Sequence, residues 1–343
     1  MTQRFQRAAF AIGCALLWFF AARGAGAFCQ ATTCDPRKGA CSTNAQGCFT
    51  SGLPLAWLSN CVTVSVQGDG SPKQHIDFDA ARVSVEHAFA AWTSATCEGG
   101  SPSISVVVNG PVSCSQSEYN SDRANANIVI FREDTWPYAG GEDALGLTLI
   151  RFDPDTGAIW DSDIEVNAVD EPLSVGNPVA GSVDLASLLT HEAGHLLGLG
   201  HNVFDETATM FPGYHTGSIE LRSLADDDIA GICEIYPPKR KPSSTSCEPR
   251  HGFSELCGDQ QPASAPSTSN ESDGGGCSHA RASTQHPPLV FGFLAALWLF
   301  TVRRSRALRR RPRAATTPNN HHPRKQRFSP TRIAAASGSK HPR

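Results

Sequence analysis

Cations are scarce where most of this chain is expected to fold. Between Thr50 and Pro237 there are 6 Lys/Arg against 27 Asp/Glu, a balance of −21, although the whole 343-residue chain sums to only −4. A body so short of positive charge repels phosphate, which excludes nucleic acid as a partner. It suits calcium, or simple solubility. From Arg303 to Arg343 the shortage reverses, with 13 Lys/Arg and no acid. Acidic body and basic tail are therefore not expected to share an environment. Methionine is scarce as well: Met1 and Met210 are the only two, so Met210 is not a routine core filler. Apolar residues are not lacking. Their share of 40% supports a real core and excludes a disordered chain.

The start of the chain reads as an export signal. Arg4 and Arg7 precede an apolar run from Ala8 to Ala22, and Ala25-Gly26-Ala27 offers a small-residue cleavage site. Residues 1–27 are the expected signal peptide and Phe28 the first mature residue. Of 12 cysteines, Cys14 leaves with the signal and Cys277 stands alone in a Gly-rich stretch. The other ten are Cys29, Cys34, Cys41, Cys48, Cys61, Cys97, Cys114, Cys233, Cys247 and Cys257. An even set in an exported chain implies up to five disulfides, with the pairing open.

Composition divides the rest. Residues 28–51 form a Cys-rich N-terminal extension, and residues 52–238 carry globular patterning. Val62–Val66, Ser103–Val108, Ile128–Phe131, Gly146–Phe152 and Ile164–Asn167 read as strands. Asp79–Thr93, Asp184–Leu197 and Ala225–Tyr236 read as helices, the second ended by Gly198 and the third by Pro237-Pro238. The order gives an α+β (mixed α/β) domain. Residues 239–287 are rich in Pro, Ser and Gly and read as a linker. Leu289–Val302 is apolar and is followed at once by Arg303, Arg304, Arg306, Arg309, Arg310 and Arg311. The run is short against the roughly 17–25 residues of a full span. The arginines nevertheless suit a positive-inside flank, so 288–302 is the expected membrane segment and 303–343 a basic tail. Gly274-Gly275-Gly276-Cys277, the apolar run and the Arg cluster together resemble the C-terminal sorting tails of myxobacterial surface proteins. That likeness implies processing near Cys277, and display on the cell surface or release. This tail continues unusually far beyond its arginines.

The chemistry concentrates in His191-Glu192-Ala193-Gly194-His195-Leu196-Leu197-Gly198-Leu199-Gly200-His201. Residues four apart share a helix face, so His191 and His195 can aim imidazoles at one ion. Gly198 lets the backbone turn so that His201 supplies a third ligand. Three neutral imidazoles around Zn²⁺ leave one position for water, the arrangement of a catalytic site; a structural site takes four protein ligands, usually with Cys. Glu192 beside them is the expected general base.

On these residues the chain resembles the metzincin zinc metallopeptidases, and among them the matrixins. Ala208-Thr209-Met210-Phe211-Pro212-Gly213-Tyr214 resembles the family's Met-turn. The resemblance covers about Leu53 to Pro237. It implies a twisted five-stranded sheet, an active-site helix and zinc in a cleft. It also implies Met210 beneath the metal, and Pro212 and Tyr214 in the wall of a substrate pocket. Gly146–Phe152 becomes the edge to which an extended peptide adds. Three departures stand out. The Pro-Arg-Cys-Gly-x-Pro-Asp latency segment is missing, the histidines of the family's second, structural zinc are not evident, and Cys61, Cys97, Cys114 and Cys233 are additions. One zinc is expected.

Asp153 and Asp155, with Gly157, then Asp161, Asp163 and Glu165, form an oxygen-rich stretch. It is either a calcium site, as matrixins have in the comparable region, or a solvated acidic loop. The reading that results is a secreted or surface-anchored monomeric zinc endopeptidase acting on polypeptides. The alternatives are a non-catalytic adhesion or scaffold protein with the same fold, and hydrolysis of a non-protein amide such as a cell-wall peptide.

Overall fold

The computed structural model describes residues 28–138, 144–169, 171–256, 325–327 and 332–335. The expected signal peptide, Cys277 and the expected membrane segment lie outside them. Among the described residues no helix is long and apolar enough to cross a membrane.

The core is a sheet whose inner strands are buried on both faces, as parallel strands under helices must be. Its body strands are β2 (Cys61–Gln67), β3 (Ser105–Val112), β4 (Ile128–Arg132), β5 (Gly146–Phe152) and β6 (Ile159–Asn167), in the order β5-β6-β4-β2-β3. The strands β6, β4, β2 and β3 run parallel, and β5 runs antiparallel to β6. The expected five-stranded sheet is therefore present. At its β5 edge a sixth strand from the tail, Arg332–Ala335, pairs parallel with Leu149–Phe152.

Two of the three helices pack on the sheet. Helix α1 (Phe78–Thr93) is capped by the Asp77 carboxylate, which accepts from Ala80 N at 2.8 Å, and it buries Val85, Ala88, Phe89 and Trp92. Helix α2 (Leu185–Leu196) is buried at all but one of its positions and is capped by Asp184, which accepts from Ser187 N at 2.8 Å. The Trp92 indole donates to Thr190 O at 2.8 Å and locks α1 against α2. Helix α3 (Asp226–Ile235) closes the body.

The end of α2 would leave carbonyls orphaned inside the protein. Two aromatic side chains satisfy them: the Trp57 indole donates to Leu196 O at 2.8 Å and the Tyr236 hydroxyl to Leu197 O at 2.9 Å. The N-terminal extension pins the next residues. Strand β1 (Cys29–Gln30) pairs antiparallel with Leu199–Gly200, and Ala31 N donates to Gly198 O at 2.9 Å.

Disulfides join Cys29 to Cys48, Cys34 to Cys41, Cys61 to Cys247 and Cys97 to Cys233. Cys114 is disulfide-bonded too. The Cys61–Cys247 bridge corrects the expected linker boundary. Residues 239–256 pack on the body instead of leaving it at Lys239. The Arg240 guanidinium donates to Trp57 O and Ser59 O at 2.9 and 2.6 Å, and Asn125 and Ser254 pair their backbones. Composition suggested a linker because this stretch has little apolar periodicity. It is held by backbone pairing and a disulfide, which need none.

Candidate active site

The site is built on α2 and the turn that ends it. His191 and His195 lie one helical turn apart and are fully buried. Gly198 has φ +96, and a Cβ there would stand 2.6 Å from Leu55 O, so the reversal needs glycine for both conformation and space. The chain then carries His201 back over the helix. Its Nε2 lies 3.1 Å from Nε2 of His191 and 3.1 Å from Nε2 of His195.

The outer ring nitrogens fix the tautomers. His191 Nδ1 lies 2.6 Å from Thr209 O, and His195 Nδ1 lies 2.9 Å from Leu199 O. A carbonyl can only accept, so in both rings Nδ1 carries the hydrogen and Nε2 the lone pair. Lone pairs converging on one point repel unless a cation lies among them, and three converging imidazole nitrogens, two of them on rings backed by carbonyls, suit zinc. Burial pushes the His195 imidazole down to about 4. Burial and the neighbouring rings lower His191 and His201 as well. All three are thus neutral, the state that binds metal. Among the described residues this is the one His/Cys/Asp/Glu group of three or more whose ligand atoms lie within 4.8 Å of one another.

Glu192 is fully buried on the same turn. Its Oε2 accepts from the Thr148 hydroxyl at 2.7 Å, while its Oε1 has no partner. Burial raises the carboxyl to about 8, and the Thr148 bond acts the other way. A divalent cation beside it favours the ionised form.

Matrixin is the family whose model matches this chain, over residues 56–237. The chain belongs to the matrixins. It is 38% identical over 108 residues to Metalloendoproteinase 1-MMP of Arabidopsis thaliana, covering 32% of this chain and 28% of that protein. It is 33% identical over 135 residues to Matrix metalloproteinase-16 of Homo sapiens, covering 38% and 21%. It is 28% identical over 173 residues to Metalloendoproteinase 1 of Glycine max, covering 48% of each. The matched segments thus span between about a fifth and about half of these relatives.

Met210 is buried below α2, where a Cβ on Gly194 would collide with its sulfur and would stand 2.7 Å from the Trp92 ring. Pro212 is half-buried and Tyr214 is buried. The Tyr214 ring is 1% exposed; its hydroxyl donates to Ser218 O at 2.6 Å and accepts from Asp184 N at 2.9 Å. It therefore ties the loop after the Met-turn to the start of α2.

The aspartates expected to hold calcium are divided. Asp153 and Asp155 sit in a turn, where the Asp153 carboxylate accepts from Asp155 N at 2.9 Å. Asp161 and Asp163 do not belong to that turn. Strand β6 starts at Ile159, earlier than expected, and buries both of them. Asp163 accepts from Ile128 N at 3.0 Å and Glu118 N at 3.1 Å, so it organises backbone. Burial pushes its carboxyl up to about 8 and that of Asp161 well above its ordinary range. The four do not form a metal-ligating group within 4.8 Å.

Three contributors were not read from the sequence. Thr148 on β5 holds the Glu192 carboxylate. Asp228 on α3 accepts from Thr209 N at 2.6 Å, Met210 N at 3.1 Å and Ala225 N at 2.9 Å, fixing the turn whose carbonyl orients His191. Strand β1 grips Leu199, whose carbonyl orients His195. Thr148 had a visible signal as the lone hydroxyl in Gly-Leu-Thr-Leu-Ile. Asp228 had none, being one of three consecutive aspartates.

Proposed function

We propose that this chain is an exported zinc endopeptidase that hydrolyses extended polypeptides. The observation that carries the reading is the convergence of three neutral imidazoles beside a buried carboxylate with one free oxygen. His191, His195 and His201 hold the metal, which when bound supplies a Lewis acid that polarises a carbonyl and acidifies water. Glu192 Oε1 takes the proton of the attacking water and returns it to the leaving amine. Where the tail strand does not occupy Leu149–Phe152, the edge of β5 offers backbone groups to an extended peptide. Met210 and Trp92 pack beneath the helix and keep the two ligand rings in place.

Export is supported by the signal-like start and by the disulfides, which persist in oxidising compartments. Anchoring through 288–302 is the sequence reading for the precursor. It is exclusive with pairing of the tail to the body, because a bilayer crossing would put 303–343 on the side opposite the catalytic domain. Tail strands β7 (Lys325–Arg327), antiparallel to Gly213–His215, and β8 (Arg332–Ala335) therefore belong to a form not anchored that way. Calcium binding by Asp153 and Asp155 stays part of the proposal, tested by thermal stability with a calcium-specific chelator.

The deciding experiment compares cleavage of casein and gelatin by zinc-loaded protein and by Glu192→Ala. Loss of cleavage in the variant is expected. Equal cleavage by both would refute Glu192 as base. No cleavage by folded, zinc-loaded protein would favour the scaffold.

A further inference from the structure

A carboxylate that works as a base needs one oxygen free toward the water and a fixed torsion. Nothing on α2 itself provides this for Glu192. Its two oxygens have unequal surroundings. Oε2 lies 2.7 Å from the Thr148 hydroxyl, whereas Oε1 is buried without a partner. Thr148 is itself fully buried, so water does not compete for its hydrogen. The same hydroxyl oxygen lies 3.1 Å from the Glu192 backbone carbonyl, so β5 touches this residue at both ends of its side chain.

The free oxygen has space for a second reason. Gly146 and Thr148 are two apart on β5 and face the same side of the sheet. A Cβ on Gly146 would stand 2.8 Å from Glu192 Oε1 and 3.0 Å from Leu188 Cδ1. Glycine there leaves room for Oε1, and threonine two residues on ties down Oε2. The β5 strand thus carries a two-part device that the zinc motif does not contain.

We propose that Thr148 is a positioning residue for catalysis: its hydroxyl holds Glu192 Oε2 and so presents Oε1 to the reacting water. The proposal rests on the reading of Glu192 as general base. It predicts a defect in turnover with substrate binding and metal binding intact.

The test uses the full zinc-loaded chain with Thr148→Val, Thr148→Ala and Thr148→Ser. Val and Ala remove the hydroxyl with different steric demands, so a packing failure in one does not remove the test. Both are expected to lower kcat by about tenfold to hundredfold, the effect of losing one hydrogen bond to a charged group. KM should stay within about twofold and zinc content near one per chain, because Thr148 touches neither ligand ring; Ser should restore kcat to within about threefold. In the Glu192→Ala background, Thr148→Val should have no further effect. The proposal is overturned if Val and Ala keep the wild-type kcat. It is overturned equally if Ser is as impaired as they are, or if the Val effect persists undiminished without Glu192. An active Glu192→Ala protein would be a different failure, that of Glu192 as base.

Discussion

Replacing Asp228 by alanine should unfold the active site from behind. The carboxylate accepts three backbone N–H bonds, from Thr209, Met210 and Ala225. The Thr209 and Met210 donors are buried. Leaving a buried donor unsatisfied costs about 1–3 kcal/mol, so the expected loss from two is roughly 2–6 kcal/mol. For a body of this size each kcal/mol lowers the thermal midpoint by about 2–4 °C, which gives a drop on the order of 10 °C. The damage should reach the metal, because Thr209 O orients His191 at 2.6 Å and loss of such an outer partner typically lowers affinity about 10–100-fold. Asp228→Asn keeps one oxygen as acceptor. Placed at the Oδ2 position, it retains the bonds to Thr209 and Ala225 and turns an NH₂ toward Met210 N, so about half the loss is expected. The assay is thermal unfolding with and without zinc, paired with competitive zinc titration. An Asp228→Ala protein within about 1 kcal/mol of wild type, with unchanged zinc affinity, would refute the chain of reasoning from α3 through the Met-turn to His191.

Other perturbations have signs fixed by the structure. The metal-free protein should lose stability as pH falls from about 6.5 to about 4, because His195, held down near 4 by burial, takes its proton more readily once unfolded. A flat midpoint over that window would contradict the buried neutral ring. Cys29→Ser with Cys48→Ser should loosen β1 from Leu199–Gly200 and weaken zinc binding more than it lowers the thermal midpoint; unchanged metal affinity would count against the N-terminal clamp. Cys97→Ser with Cys233→Ser opens a loop of 136 residues and should cost about 2–5 kcal/mol, read by denaturant unfolding. Truncation before Pro323 frees the β5 edge and Gly213–His215 from the tail strands, so kcat/KM on casein should rise several-fold. An identical value in both forms would mean that the tail strands do not contest the substrate's place.

Much of this protein was legible before folding was considered. The strand and helix positions follow from periodicity and from stops such as Gly198 and Pro237-Pro238, and the structure moves most boundaries by only a few residues. The three-histidine cluster was legible because helical geometry alone sets His191 and His195 one turn apart, and a glycine that tolerates φ +96 marks where His201 returns. The errors fall where a residue's partner is distant in sequence. Asp161 and Asp163 looked like solvated oxygen ligands, and a strand boundary put them inside. Lys239–Leu256 looked like linker, and the disulfide to Cys61, 186 residues before Cys247, made it part of the body. Spacing determined which three histidines converge, since those contacts are local. Only the tertiary structure decided what holds them, because Thr148, Asp228 and strand β1 act through single hydrogen bonds across the fold, and such bonds leave no period in a sequence.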